Sequence, residues 1–357
     1  MILTYKLKHN RDFSPELRKA WKVAYYAVKH HSKSSKDVSH LNLKAAISNQ
    51  IIRKYVFKDR KCKKVTSVNL PVPSQSIQLD QTNRSFRIPC LDLTVQYRFP
   101  NNFTKINKVE VDRKYLYVSV TVPEDKEQKV HDYLGVDRNT TGHCCVAAIA
   151  KTGKVFKLGK SSQHIHVKYS KMRKKLQSQG RKQKLKQIKR RESNIIKDLN
   201  HKISRKIVEI AKQNKTGIKL ENLSQIRETT KQSRSFKYSL NSWGFYQLQQ
   251  MIEYKSRLLG IPVVYVASPY TSKTCSRCGN IGRRNGKTFT CSCGHVDHAD
   301  SNAAFNISVW KTMAGESYVK PMKRGQSVVD RDATEGSTDT PQIERSKCLV
   351  KKPSVLV

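Results

Sequence analysis

The chain has 357 residues, enough for two or three domains with separate cores. Its 70 Lys and Arg against 27 Asp and Glu give a formal net charge of +43, a field that a soluble enzyme of small metabolites does not need and a protein tracking polyphosphate backbone does. Nucleic acid is the expected partner, with a basic ribosomal or chromatin-type protein lacking chemistry as the alternative that composition leaves open.

Residues 2–8, ILTYKLK, alternate apolar and polar side chains as a half-buried strand does. From Ser14, SPELRKAWKVAYYAVKHH has a Ser-Pro start and apolar residues at helical spacing, and LNLKAAISNQIIRKYVF reads as a second helix. Residues 64–122 return to strand character in six short runs divided by Asn, Pro, Asp and basic turns, which argues for a small barrel or sandwich. With the first strand included, the expectation is one barrel interrupted by a short basic helical module.

After the linker EDKEQKVHD, the stretch YLGVDRNTTGHCCVAAIAKTGKVFKLG reads as three strands with a tight turn at Thr140, Thr141 and Gly142. The first is nearly all apolar and ends in Asp137, as a central strand buried on both faces would. Lys168 to Lys215 then holds eighteen Lys and Arg against three acids, with a break at Gly180. Ile195, Leu199, Ile203, Ile207 and Ile210 stack on one helical face there. A solvated face is the ordinary meaning of such a charge run, but its one-sided sign favours phosphate contacts, and Lys184, Lys186, Arg190 and Arg191 are the candidates.

GIKLENL is a short strand ending in Glu221. SWGFYQLQQMIEYKSRLLG is a helix with Ser242 as a candidate N-cap and Gly260 as its stop, and IPVVYVASPYTS is a further buried strand. Trp243, Phe245 and Tyr246 could stack bases, although aromatics opening an amphipathic helix more often belong to a core. Thr274 to Ile307 then places Cys275, Cys278, Cys291 and Cys293 in two close pairs, the arrangement by which four thiolates converge on one zinc ion. Asp300 opens a helical run directly afterwards. The tail from residue 315 to 357 lacks periodicity and is expected to be disordered.

Asp137, Glu221 and Asp300 each have a dull reading, as turn former, surface charge and N-cap. Acids delivered to the carboxyl ends of strands in an open α/β sheet converge on a common crevice, however, and three of them can hold two Mg²⁺ ions about 3.5–4 Å apart for phosphodiester hydrolysis. Of nine cysteines, the five outside the two pairs show no framework spacing, so reduced thiols are expected. No apolar run approaches membrane-spanning length and the start lacks a signal-peptide core, so a soluble, cytoplasmic, DNA-associated protein is expected, with no membrane partner.

The succession GVDRN, NHKISRKIVEIAKQNKTGIKLENL, WGFYQLQQMIEYKSRLLG, TSKTCSRCGN and CSCGHVDHADSNAAFNI resembles the TnpB (OrfB) family of insertion-sequence proteins, related to the type V CRISPR effectors. The resemblance runs from about Tyr133 to Trp310 and implies a RuvC-like nuclease domain of RNase H fold with a zinc finger. It puts the catalytic, magnesium-binding acids on Asp137, Glu221 and Asp300 and the zinc ligands on the four cysteines; Asp297 falls outside the catalytic positions. The second cysteine pair is C-x-C where many relatives have C-x-x-C, so His295 or His298 is an alternative fourth ligand. The implied layout is a wedge-like barrel over 1–12 and 58–125, a helical recognition module over 13–57, a RuvC-like domain over 130–270 and 296–314 with a basic helical insertion at 160–215, and a zinc finger at 271–295. The implied activity is RNA-guided cutting of double-stranded DNA beside a short transposon-associated motif, with guide RNA and target DNA as partners. A binding protein or repressor without cleavage, and a strand-joining transposase, are the alternatives.

Overall fold

The computed structural model describes residues 1–57, 65–99, 102–139, 142–223, 245–268 and 270–310, and the expectations for the 315–357 tail, Ser242, Trp243, Thr140 and Thr141 fall outside them. The chain divides into two compact units, the first including residues 1–123 and the second residues 124–324. Among the described residues no helix is long and apolar enough to cross a membrane.

In the first unit, β1 (Ile2–Lys8) is followed by α1 (Ser14–His30) and α2 (Ala45–Tyr55). The second helix starts later than its apolar spacing suggests. Ser35–Leu41 winds as a 3-10 segment that ends at Asn42, whose left-handed backbone breaks the run. The remaining strands are β2 (Leu70–Pro73), β3 (Gln78–Asp80), β4 (Ser85–Ile88), β5 (Leu93–Gln96), β6 (Lys105–Val111) and β7 (Tyr115–Thr121). They form two sheets rather than one closed barrel among the described residues: a four-stranded sheet ordered β1-β7-β6-β2 and a three-stranded meander β3-β4-β5. The meander is closed by a local turn in which Asp80 accepts from the Asn83 backbone and side chain, and this leaves its edges to itself. Aromatic rings bridge the sheets, with Tyr5 of β1 stacked on Phe99 and Phe99 on Tyr97, at 4.4 and 4.7 Å between centroids.

The second unit is built on a five-stranded sheet ordered β10-β9-β8-β11-β12, comprising β8 (Tyr133–Arg138), β9 (Cys145–Ile149), β10 (Lys154–Leu158), β11 (Gly217–Glu221) and β12 (Val263–Val266). β8, β9 and β10 are antiparallel neighbours, whereas β11 runs parallel to both β8 and β12. The crossover between β8's hairpins and β11 is α3 (Ser161–Ser178) and α4 (Lys182–Gln213), divided at Gly180 in the left-handed conformation. α5 (Phe245–Leu258), ended by Gly260 with positive φ, joins β11 to β12. Three short strands, β13 (Arg283–Asn285), β14 (Thr288–Thr290) and β15 (Val296–His298), make a small sheet before α6 (Ala299–Val309).

Alternation along the central strands assigns the two faces. Leu134 and Val136 of β8 and Ile218 and Leu220 of β11 pack with Ile203, Ile207 and Ile210 of α4 and Leu248 and Ile252 of α5. The residues between them, Gly135, Asp137, Gly217, Lys219 and Glu221, point to the opposite face, which α6 covers together with Val146 and Ala148 of β9. The expected five-residue stripe on α4 is thereby split. Ile203, Ile207 and Ile210 serve the sheet, Leu199 packs at its margin, and Ile195 joins Tyr169, Leu176 and Ile188 in a separate small core between α3 and α4.

Candidate active site

Asp137 is the penultimate residue of β8 and Glu221 the last of β11. Leu220 pairs with Val136 in the parallel register, so the acids follow as the next residues on adjacent strands, both on the α6 face. Asp300 is the second residue of α6, after His298 as N-cap, and is fully buried. What lets the helix lie so close is Gly135: a Cβ there would collide with the backbone of Ala304 and Ser308. At the other end of α6, Lys219 Nζ donates to the Trp310 carbonyl at 2.9 Å while lying 4.6 Å from the Tyr133 ring centroid. A cation at a helix C-terminus offsets its exposed carbonyls.

All three acids are buried. Burial, then the charges of Glu221 and Asp300, push the Asp137 carboxyl up to about 7, against the pull of the Asn139 amide that donates to it at 2.8 Å. Burial likewise raises Glu221, although the Thr271 hydroxyl donates to Oε1 and the Arg138 guanidinium donates to the Glu221 carbonyl at 2.5 Å. Arg138 also reaches Gln249 Oε1 at 2.9 Å, and Gln249 donates to Glu253 and to the Tyr265 hydroxyl, so β8, α5 and β12 are cross-linked beneath the site. Asp300 has its own counter-ions: Arg284 Nη2 at 3.0 Å on Oδ1 and Lys287 Nζ at 2.6 Å on Oδ2. Asp300 is thus turned toward two cations of the β13–β14 hairpin.

The four cysteines converge. Cys275 and Cys293 Sγ atoms are 3.8 Å apart, those of Cys278 and Cys291 are 3.6 Å apart, and all four lie within 4.8 Å of one another. A zinc tetrahedron with bonds of about 2.3 Å has edges of about 3.8 Å, which the two close pairs match and the whole cluster approaches. Gly279 and Gly294, both at positive φ, close the two turns, and the Cys293 backbone N–H heads the interactions that pull the Cys291 thiol down to about 7. Neither histidine considered as a fourth ligand belongs to the cluster. His295 Nε2 lies 3.5 Å from the Ser276 hydroxyl, and His298 Nδ1 lies 4.0 Å from Asp300 Oδ2. Among the described residues the cysteines are the one such grouping of ligand atoms; Glu221 and Asp300 are near enough to raise Asp137, but the three carboxylates are not drawn into a cage.

Several residues that tie these parts together had no reading in the sequence. Asn302 Nδ2 donates to the Thr274 carbonyl at 2.7 Å and its Oδ1 accepts from Ser276 N at 2.8 Å, while Asn306 donates to Thr271 and Thr274 carbonyls at 2.8 and 2.7 Å. One face of α6 therefore clamps the chain entering the cysteine segment. The available signal was Asn at i and i+4 in a helix, where Asn is a poor former and needs a reason. Of the basic candidates, Lys184, Lys186, Arg190 and Arg191 are exposed on α4. Tyr246, expected to favour a core, is 63% exposed.

The Cas12f1-like TNB domain model matches residues 245–307, from α5 through the cysteine segment into α6. A TnpB-like protein of Methanocaldococcus jannaschii is 31% identical over 213 residues, covering 58% of this chain and 69% of the relative. The chain belongs to the TnpB/Cas12f-like family. A CRISPR-associated endodeoxyribonuclease Cas12f1 of Sulfoacidibacillus thermotolerans is 38% identical over 130 residues, and the match spans 35% of this chain and only 29% of that relative. A Cas12f1 chain solved in complex with sgRNA and target DNA superposes with a TM-score of 0.55 at 17% identity, covering 84% of this chain and 82% of the other. At that identity the likeness concerns the fold alone.

Proposed function

We propose that this family member is an RNA-guided, metal-dependent DNA endonuclease of a transposable element, with Asp137, Glu221 and Asp300 as its catalytic acids. The observation that carries the reading is the adjacency of Asp137 and Glu221 at the ends of parallel strands, under a helix whose first turn supplies Asp300. Burial raises the proton affinity of Asp137 and Glu221, and the neighbouring Glu221 and Asp300 charges raise that of Asp137 further, so a bound cation would compensate their charged forms. Hard oxygen donors of this kind suit Mg²⁺, which when bound supplies an activated water and neutralises charge on the phosphodiester.

The chain's own residues do the rest. Asn139 and Thr271 hold Asp137 and Glu221 by hydrogen bonds, and Asn302 and Asn306 fix the approach of the cysteine segment to α6. Arg284 and Lys287 pair with Asp300 at the mouth of the acids, where the same two cations would meet the phosphate oxygens of a substrate. Zinc in the four-cysteine cluster would fasten the hairpin that carries both cations. Guide RNA and double-stranded target DNA as partners accord with the charge of +43 and with the sgRNA and target DNA bound by the Cas12f1 neighbour, and a short transposon-associated motif beside the cut is part of the same proposal.

Protein co-purified with its RNA should cut a plasmid carrying the guide-matched target, and Asp137→Ala or Glu221→Ala should reduce the rate by at least about a thousandfold. Unchanged cutting by either variant would reassign the site.

A further inference from the structure

α1 carries an exposed aromatic pair that the nuclease reading does not use. Its inner face is made of Ala20, Val23, Ala24 and Ala27, all buried. On the outer face, Trp21 and Tyr25 stack with ring centroids 5.3 Å apart and planes 14° from parallel, yet they remain 38% and 51% exposed. The indole is held in place, because Trp21 Nε1 donates to the Val65 carbonyl at 3.2 Å. Arg18, Lys22 and Lys29 are exposed along the same side of the helix, at i−3, i+1 and i+8 from Trp21. Glu16 is the only acid in the helix and it is partly covered.

A pinned, solvent-facing aromatic stack is costly to leave bare and has the form of a platform for a flat π-system. The charges beside it are positive, so the occupant carries negative charge at short intervals. We propose that this face of α1 binds single-stranded RNA, one unpaired base stacking on the Trp21–Tyr25 pair and the flanking phosphates lying on Arg18, Lys22 and Lys29. Duplex DNA offers no free base face within its length, whereas the unpaired segments of an RNA do, and aromatic side chains are their usual receivers. The assignment of that RNA as the guide rests on the nuclease reading, but the binding itself does not.

The test uses the full-length protein and a fluorescein-labelled single-stranded RNA 12-mer, with single-stranded DNA of the same sequence and a blunt DNA duplex as controls, each titrated by anisotropy at several salt concentrations. Trp21→Ala with Tyr25→Ala should weaken RNA binding about tenfold and leave the slope of log affinity against log salt unchanged. The Trp21→Phe, Tyr25→Phe protein, which keeps two rings, should bind within about twofold of the parent. Arg18→Gln, Lys22→Gln and Lys29→Gln together should instead flatten the slope by roughly two to three. Tyr25→Ala alone leaves the Trp21–Val65 hydrogen bond in place, so it keeps the test valid if the double variant melts early. Parent-like RNA affinity in folded Tyr25→Ala and double variants would overturn the proposal, as would an equal loss for the duplex or for single-stranded DNA. Cleavage is scored separately on the parent protein: if it does not cut the guide-matched target, the nuclease reading falls while the RNA-binding result stands.

Discussion

The carboxylate site and the cysteine cluster adjoin in the chain only at Asp300, and they are assembled by opposite means. The cysteines are drawn together by two glycine-closed turns and three short strands, all within residues 275–298. The acids come from residues 137, 221 and 300 and meet only because β8 and β11 pair in one register and α6 lies flat on Gly135. One site is local and largely exposed, with only Cys275 fully buried among its ligands; the other is long-range and buried throughout. A local site can be lost without the sheet, but the buried one fails as soon as any of its supports moves.

This contrast breaks first at Gly135. Gly135→Ala should cost about 4 kcal/mol in urea unfolding and abolish cutting, because both clashing partners are backbone and cannot rotate away. A well-folded, active Gly135→Ala protein would show that α6 is seated some other way. Next comes the cysteine cluster. One zinc per chain should be found by elemental analysis, and its removal by chelator or by Cys275→Ser should cost about 3 kcal/mol while leaving the far-UV signal of the five-stranded sheet and its helices largely intact. Collapse of the whole unit on chelation would mean that the cluster is not local in its energetics.

The buried acids carry the opposite sign. Between pH 4 and 7 the folded, metal-free protein holds a proton on Asp137 that the unfolded chain has released, so stability falls as pH rises through that window. Asp137→Asn should therefore stabilise metal-free protein by about 2 kcal/mol at pH 7 and scarcely at all at pH 4, as read by thermal melts. A gain independent of pH would place its origin elsewhere than in the carboxylate. The smallest effect is expected at the cations. Arg284→Gln with Lys287→Gln should raise Mn²⁺ affinity, followed by electron paramagnetic resonance, by about tenfold, since two positive charges leave the neighbourhood of Asp300. Unchanged affinity would mean that the hairpin withdraws from Asp300 before metal enters.

Legibility in the sequence follows the same division. The cysteine pairs announce themselves by spacing, and the strands ending in Asp137 and Glu221 are visible as apolar runs ending in an acid. That these acids belong together was suggested by the convergence of strand carboxyl ends in an open α/β sheet and by the family resemblance, while the pairing register and the choice of face are long-range properties that no local period encodes. Arg284 and Lys287 were hidden because two basic residues in so basic a chain carry no signal. The barrel expected in the first unit is two sheets because alternation fixes which side of a strand is buried, not which strand it pairs with.

α4 sets a rule for how such chains can vary in length. Its 32 residues extend about 48 Å, and it serves two separate cores, the sheet through Ile203, Ile207 and Ile210 and the α3 hairpin through Ile188 and Ile195. Each residue inserted between Ile195 and Ile203 turns one half by about 100° relative to the other, sending an apolar face to water and swinging the exposed basic arc around the axis. Only insertions close to whole numbers of turns, of about seven or eleven residues, restore both faces. Relatives that lengthen or shorten this helix must therefore do so in steps, and Lys184, Lys186, Arg190 and Arg191 keep their bearing relative to the sheet only in members that obey that arithmetic.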